Sequence, residues 1–415
     1  MLWGRVCIAA LAAALTTATA TGCGGGGGSN GPTAVKWYVF KEPGGAFDAA
    51  AKKCSKDSKG RYQVKVVALP TDSDQQRELI VRRLAAQDSD LDVIGMDVNW
   101  TAEFARAGWI VPWTGANEQA ASKGVIPALL ASARYQNKTW VAPFTTNTQL
   151  LWYHKDVVKG PPPKTWDEMI AQAQKIGGSK GKIVVQGKRY EGLVVWFNTL
   201  VASAGGEIVD RDGKTVLGPP AEEAARIMHD VATKAGTPSI SNEKEDTGKD
   251  AFKAGDLAFM VNYPFVYADI SADKKALKNL GWARYPSVKP GEPSHVTVGG
   301  INLGISKYSK HKQLAFEAAK CLLQPENQIV ASEKGGLAPT QASLYKNPRI
   351  KKAFPFADIM QATLNDGTAR PVLPTYSDVS LAIQDALHPP GSIDPKQSIK
   401  TLIENLKKAK EGKLF

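Results

Sequence analysis

Polar and aromatic residues gather at three places where the chain leaves a β-rich run and enters a turn. Residues 41–45 offer Glu42, residues 70–77 offer Gln75, Gln76 and Arg77, and residues 97–100 offer Asp97, Asn99 and Trp100. A fourth junction, after Leu257-Ala258-Phe259-Met260-Val261, offers Asn262 and Tyr263. Carboxylates and amides exchange hydrogen bonds with hydroxyl groups, a guanidinium donates several, and indole or phenol faces cover C–H surface. Such a set suits capture of a small hydroxylated molecule. Bond-breaking chemistry asks for more. HExxH, Walker A and spaced Cys–His metal patterns do not occur, and the histidines (His154, His229, His295, His311, His388) stand singly. No catalytic residue, metal or cofactor is therefore expected. Asp97 with Glu42 or Glu245 has the residue types of a glycosidase pair, but nothing in their spacing brings them to the separation such chemistry needs. Binding is the expected function. A secreted glycoside-processing enzyme is the rival, and a receptor for another oligosaccharide or a peptide is the alternative within the binding class.

These junctions need a scaffold that brings them to one side, and the first part of the chain has the pattern of one. Ala34 to Phe40, Tyr62 to Leu69 and Leu91 to Met96 read as strands. Between them, Ala46 to Lys56 and Asp74 to Gln87 read as helices, the second amphipathic through Leu79, Ile80 and Leu84. Strands alternating with helices predict an α/β fold with a parallel sheet, in which ligands sit beyond the C-terminal strand ends.

Trp140 to Asp156 reads differently. Two apolar runs, Trp140-Val141-Ala142-Pro143-Phe144 and Leu150-Leu151-Trp152-Tyr153, flank the polar centre Thr145-Thr146-Asn147-Thr148-Gln149. This is either a hinge that leaves one core, lines a cleft with its polar centre and enters a second core, or an ordinary loop between strands. Thr165 with Glu168 is a capping box opening a helix. In His295 to Ile305, the glycines Gly299 and Gly300 interrupt a strand, through either close approach to a ligand or a plain bulge.

The 415 residues can hold two or three domains, and 43% hydrophobic with 22% charged residues is a globular composition. The N-terminus has Arg5, an apolar run from Val6 to Leu15 and small residues up to Gly22, as in a secretory signal too short to span a bilayer. Ala20 and Gly22 before Cys23 resemble a lipobox, which implies cleavage there, residues 1–22 as signal peptide, and lipid on the Cys23 thiol. Residues 23–34, with Gly24 to Gly28, read as a flexible tether. Cys54 and Cys321 remain in the mature domain, either as a disulfide or as buried thiols. The net charge of +12 is spread over scattered lysine pairs without a nucleic-acid motif, so a solvated surface is expected and nucleic acid is not.

Taken together, Leu91 to Trp113, the 140–156 stretch, Pro161 to Met169, Phe252 to Phe265 and Gly299 to Lys307 resemble the maltose-binding-protein-like family of extracellular solute-binding lipoproteins of ABC sugar importers. Asp97-Val98-Asn99-Trp100, Thr146 to Tyr153, Glu191 to Gly206, Val261 to Val266, Thr297 to Leu303 and Ala369 to Tyr376 are more narrowly similar to the trehalose-binding lipoproteins of mycobacteria. The resemblance implies a two-lobe, type II periplasmic-binding-protein-like α/β fold with an interlobe hinge and cleft. It implies an N-terminal lobe of residues 35–144 and 292–340 and a C-terminal lobe of residues 147–291 and 345–415. It further implies a monomer on the extracytoplasmic face of the cell membrane that holds trehalose or a related disaccharide and hands it to ABC permease subunits. Asp97, Asn147, Glu245 and Arg370 match the polar contacts of that pocket, Gly300 matches a glycine near the sugar, and Glu42 and Gln76 match by position. Tyr263 stands where the mycobacterial proteins have Trp. Cys54 and Cys321 would share a lobe, on helices able to be neighbours.

Overall fold

Every second residue of the first strand is apolar, and both faces find a core. In the computed structural model, which describes residues 31–42, 44–210 and 213–410, β1 (Thr33–Phe40) sends Val35, Trp37 and Val39 into one cluster and Tyr38 into another. Such a strand is covered on both sides, as parallel sheets require. It pairs in parallel with β2 (Tyr62–Leu69) and β3 (Val93–Asp97). Helix α1 (Ala46–Asp57) covers one face through Phe47, Ala50 and Cys54. Helix α2 (Ser73–Ala85) covers the other, but through Gln76, Ile80 and Leu84, while Leu79 faces outward. The predicted signal peptide, lipobox and most of the tether lie outside the described residues.

The chain then runs from one sheet to a second. β4 (Val141–Asn147) belongs to a six-stranded sheet, and β5 (Leu150–His154) to a four-stranded one. The second sheet adds β6 (Ile183–Val184), β7 (Phe259–Asn262) and β8 (Leu280–Ala283), in the order β8-β5-β7-β6. The chain returns to the first sheet as β9 (Gly299–Ile305), antiparallel to both β3 and β4, and as the edge strand β10 (Ala338–Pro339). Two sheets with separate cores, joined by several passes of the chain, make two lobes.

The polar centre of the link does not line a cleft. Thr145, Thr146, Thr148 and Gln149 are all buried, and only Asn147 is partly open. Their bonds are made inside the hinge: Thr146 Oγ1 donates to the Gly299 carbonyl (3.0 Å), and Gln149 Nε2 donates to Gln186 Oε1 (2.7 Å). Buried polar groups must be paired, and a crossover between two cores buries its own backbone and side chains.

Helix α3 (Trp166–Ile176) opens with the expected capping box of Thr165 and Glu168. Helix α4 (Glu191–Ser203) is apolar on every face and buried along all of its length except Ala202. Helix α5 (Glu245–Gly255) leads into β7. Cys54 on α1 and Cys321 on α6 (Lys312–Leu322) form a disulfide that ties the first passage through this lobe to the return passage.

His154, at the end of β5, is buried and stacks on Phe252 with ring centroids 4.0 Å apart, with Nδ1 2.8 Å from the Leu257 carbonyl. Burial holds its pKa below the usual 6.5. The folded state therefore favours the neutral ring, so the stability it contributes is present above pH 6.5 and lost as pH falls through that value. His154→Phe should lose about 1 kcal/mol at pH 7 with the hydrogen bond. Urea midpoints at pH 7 and pH 5 should lie closer together in this variant than in the parent.

Candidate functional site in the interlobe cleft

The loops after β2 and β3 face the start of α4, the start of α5 and the segment before α7 (Tyr376–Leu387). Asp97 ends β3 and accepts the backbone N–H of Asn99 at 3.3 Å, which holds its carboxylate at the strand end. Arg370 crosses to it from the other lobe. One end of its guanidinium donates to Asp97 Oδ1 (2.7 Å) and the other to Glu191 Oε1 (2.7 Å). Glu191 also accepts from Asn99 Nδ2 (3.3 Å), Ser380 Oγ (2.6 Å) and the Tyr376 hydroxyl. Burial opposes the Arg370 charge, but Asp97 and Glu191 more than offset it and raise its pKa above the usual guanidinium value.

Above this floor stand Asp74, Tyr190, Tyr263 and Glu245. Burial pushes the Tyr263 hydroxyl up, and the charges of Glu245, Arg370, Asp97 and Glu191 all act on it, which places it at the centre of the group. The Tyr190 ring folds back over Gly192, and its buried hydroxyl lacks a hydrogen bond of good geometry, with Glu245 as its strongest charged neighbour. Burial raises the pKa of Glu245. Asp74 is pushed up to about 6 by loss of water and by the charges of Glu191, Asp72 and Asp97. Across the two lobes Lys244 Nζ donates to Asp72 Oδ2 at 2.7 Å. Arg77, the guanidinium singled out from sequence, forks onto Glu103 at 2.8 and 2.5 Å and reaches Ser377 across the gap at 3.3 Å.

Of the residues expected at the site, Asp97, Arg370, Glu245 and Tyr263 come together. The others have local duties. Both oxygens of Glu42 cap α1, accepting from Gly44 N–H (2.5 Å) and Ala46 N–H (2.7 Å). Gln76 is buried and donates to the Thr71 carbonyl at 3.2 Å. Asn147 packs its amide oxygen against Gly299. Gly300 has φ of 134°, and a Cβ there would stand 2.2 Å from the Thr145 carbonyl oxygen. A register shift follows between Ile301 and Asn302, so backbone geometry alone requires this glycine. Trp100 is buried and stacks on Phe104.

Sequence reasoning missed Asp72, Asp74, Tyr190, Glu191, Lys244, Tyr376 and Ser380. Glu191 carried a usable signal: a carboxylate opening a helix with no polar face must be buried and needs a cation. The GxSxG spacing of Gly177-Gly178-Ser179-Lys180-Gly181, also overlooked, falls in an exposed turn after α3 and not on the strand-to-helix elbow that a serine nucleophile needs. Among the described residues no group of three or more His, Cys, Asp or Glu could hold a metal ion, and no helix is long and apolar enough to cross a membrane.

The sequence model for bacterial extracellular solute-binding proteins matches residues 39–329. The chain belongs to that family. A relative in Deinococcus radiodurans, described as a probable ABC transporter-binding protein, is 30% identical over 361 residues, covering 82% of this chain and 83% of the relative. Maltose-bound MalE3 of T. maritima superposes with a TM-score of 0.83 at 27% identity, over 90% of this chain and 99% of that one. The GacH receptor of Streptomyces glaucescens, solved unliganded and with acarbose, shares the fold with a TM-score of 0.78 at 23% identity, covering 91% and 98%. The solute-binding protein thus has the two-lobe type II periplasmic-binding-protein fold that its sequence resembles, and its cleft lies where the lobes meet.

Proposed function

We propose that this solute-binding protein captures a disaccharide, trehalose or a close relative, between its lobes and delivers it unchanged to an ABC permease, as a monomer anchored through lipid on Cys23. The observation that carries the reading is the convergence of Asp97, Arg370, Glu191, Tyr263 and Glu245 from both lobes on one space. Charged acceptors and donors satisfy sugar hydroxyls from several sides, and Tyr263 offers a ring face to the C–H surface. Domain closure around a ligand is the established use of two lobes on a hinge. Kinship to solute-binding proteins and likeness to a maltose-bound structure support a saccharide over a peptide.

Calorimetry with a disaccharide panel, run beside an assay for released monosaccharide, tests this. Stoichiometric binding with unchanged sugar is expected, and steady product release would replace the receptor with an enzyme. Asp97→Ala should weaken binding by ~1.5–3 kcal/mol, about ten- to 150-fold, the range for one charged hydrogen bond. Unchanged affinity would remove Asp97 from the contact set.

A further inference from the structure

The cleft has the opposite charge to the rest of the protein. The chain as a whole carries +12, yet Asp72, Asp74, Asp97, Glu191 and Glu245 surround this space. Two cations stand among them, and both are committed: Lys244 to Asp72 and Arg370 to Asp97 with Glu191. Arg77, nearby, is committed to Glu103. Asp74 from one lobe and Glu245 from the other form no ion pair among the described residues. A further acceptor points the same way. Asn99 is only 9% exposed, its Oδ1 has no hydrogen-bond partner, and it lines a small cavity with Arg370 and Val372. The closed cleft thus holds more acceptors than donors, and two of them bear negative charge without a counterion.

Resting on the disaccharide reading above, we propose that the cleft sorts saccharides by charge: it prefers one bearing an ammonium group to its neutral parent, and rejects those bearing phosphate or carboxylate. Asp74 and Glu245 are the residues that decide. An ammonium between them would replace mutual repulsion with two charge-assisted hydrogen bonds. A phosphate or uronate would add a like charge where low polarity strengthens repulsion.

Calorimetry at pH 7.5 with matched series on trehalose and on maltose would test this. Each series holds the parent, its 2-, 4- and 6-amino-deoxy derivatives, and its 6-phosphate. The best amino isomer should bind about ten- to 100-fold more tightly than its parent, the yield of one charged hydrogen bond. The phosphate should bind more weakly than the parent by a similar factor. Asp74→Asn combined with Glu245→Gln should compress both gaps, and raised salt should erode the amino preference even in the unaltered protein. A phosphate that binds as well as its parent, an amine that gains nothing, or gaps that survive the double substitution would each overturn the charge sorting and leave the receptor standing. If no member of either series binds, the disaccharide reading falls, and this inference with it.

Discussion

Arg370→Met should cost about 3–5 kcal/mol of stability and remove ligand binding. The guanidinium side chain is 4% exposed and neutralises Asp97 and Glu191 together, at 2.7 Å each. Removing one partner of a buried ionic network leaves the others charged without compensation, and this penalty exceeds what the network adds in the intact fold. Here two carboxylates would be stranded, one from each lobe, so the loss should fall on lobe closure as well as on folding. Arg370→Lys should do less damage but not none, since an ammonium cannot fork onto two carboxylates. Adding Glu191→Gln to Arg370→Met should recover part of the loss, because one of the stranded charges is gone. Urea unfolding followed by tryptophan fluorescence measures all three, and the coupling between the sites follows from the double-mutant cycle. A loss under about 1 kcal/mol for Arg370→Met would mean that water, not the guanidinium, keeps Asp97 and Glu191 ionised.

Replacing both Cys54 and Cys321 by alanine should cost about 2–5 kcal/mol. The bridge spans 267 residues of sequence, a loop long enough to include the whole of the second lobe. A cross-link of this kind acts mainly on the unfolded chain, and in the chain-entropy view long loops gain most. Both cysteines belong to one lobe, on helices that pack over the same sheet face. The unfolding transition of that lobe should therefore shift, while affinity for the ligand should stay close to that of the parent. Differential scanning calorimetry with and without reductant should show the same shift in the unsubstituted protein. An unchanged transition would mean that packing of α1 against α6 already holds the two passages together.

The sequence by itself determined the local elements and the broad class, because those rest on short-range rules. Alternating apolar residues gave β1 to β3, the Thr165–Glu168 box gave the start of α3, and the breaks around Pro143 gave a chain passing between two cores. Family resemblance added Asp97, Arg370, Glu245 and Tyr263, residues far apart in the chain that no periodicity would have joined. Tertiary structure alone decided which polar groups face the cleft. Thr145 to Gln149 looked available and are buried within the hinge, and Glu42 looked like a ligand group and caps a helix. Glu191, at the head of an apolar helix, proved to be the hub of the cleft floor. The reason is physical: a side chain's partner depends on the three-dimensional path of segments hundreds of residues apart. Burial turns an unremarkable carboxylate into one that must find a cation.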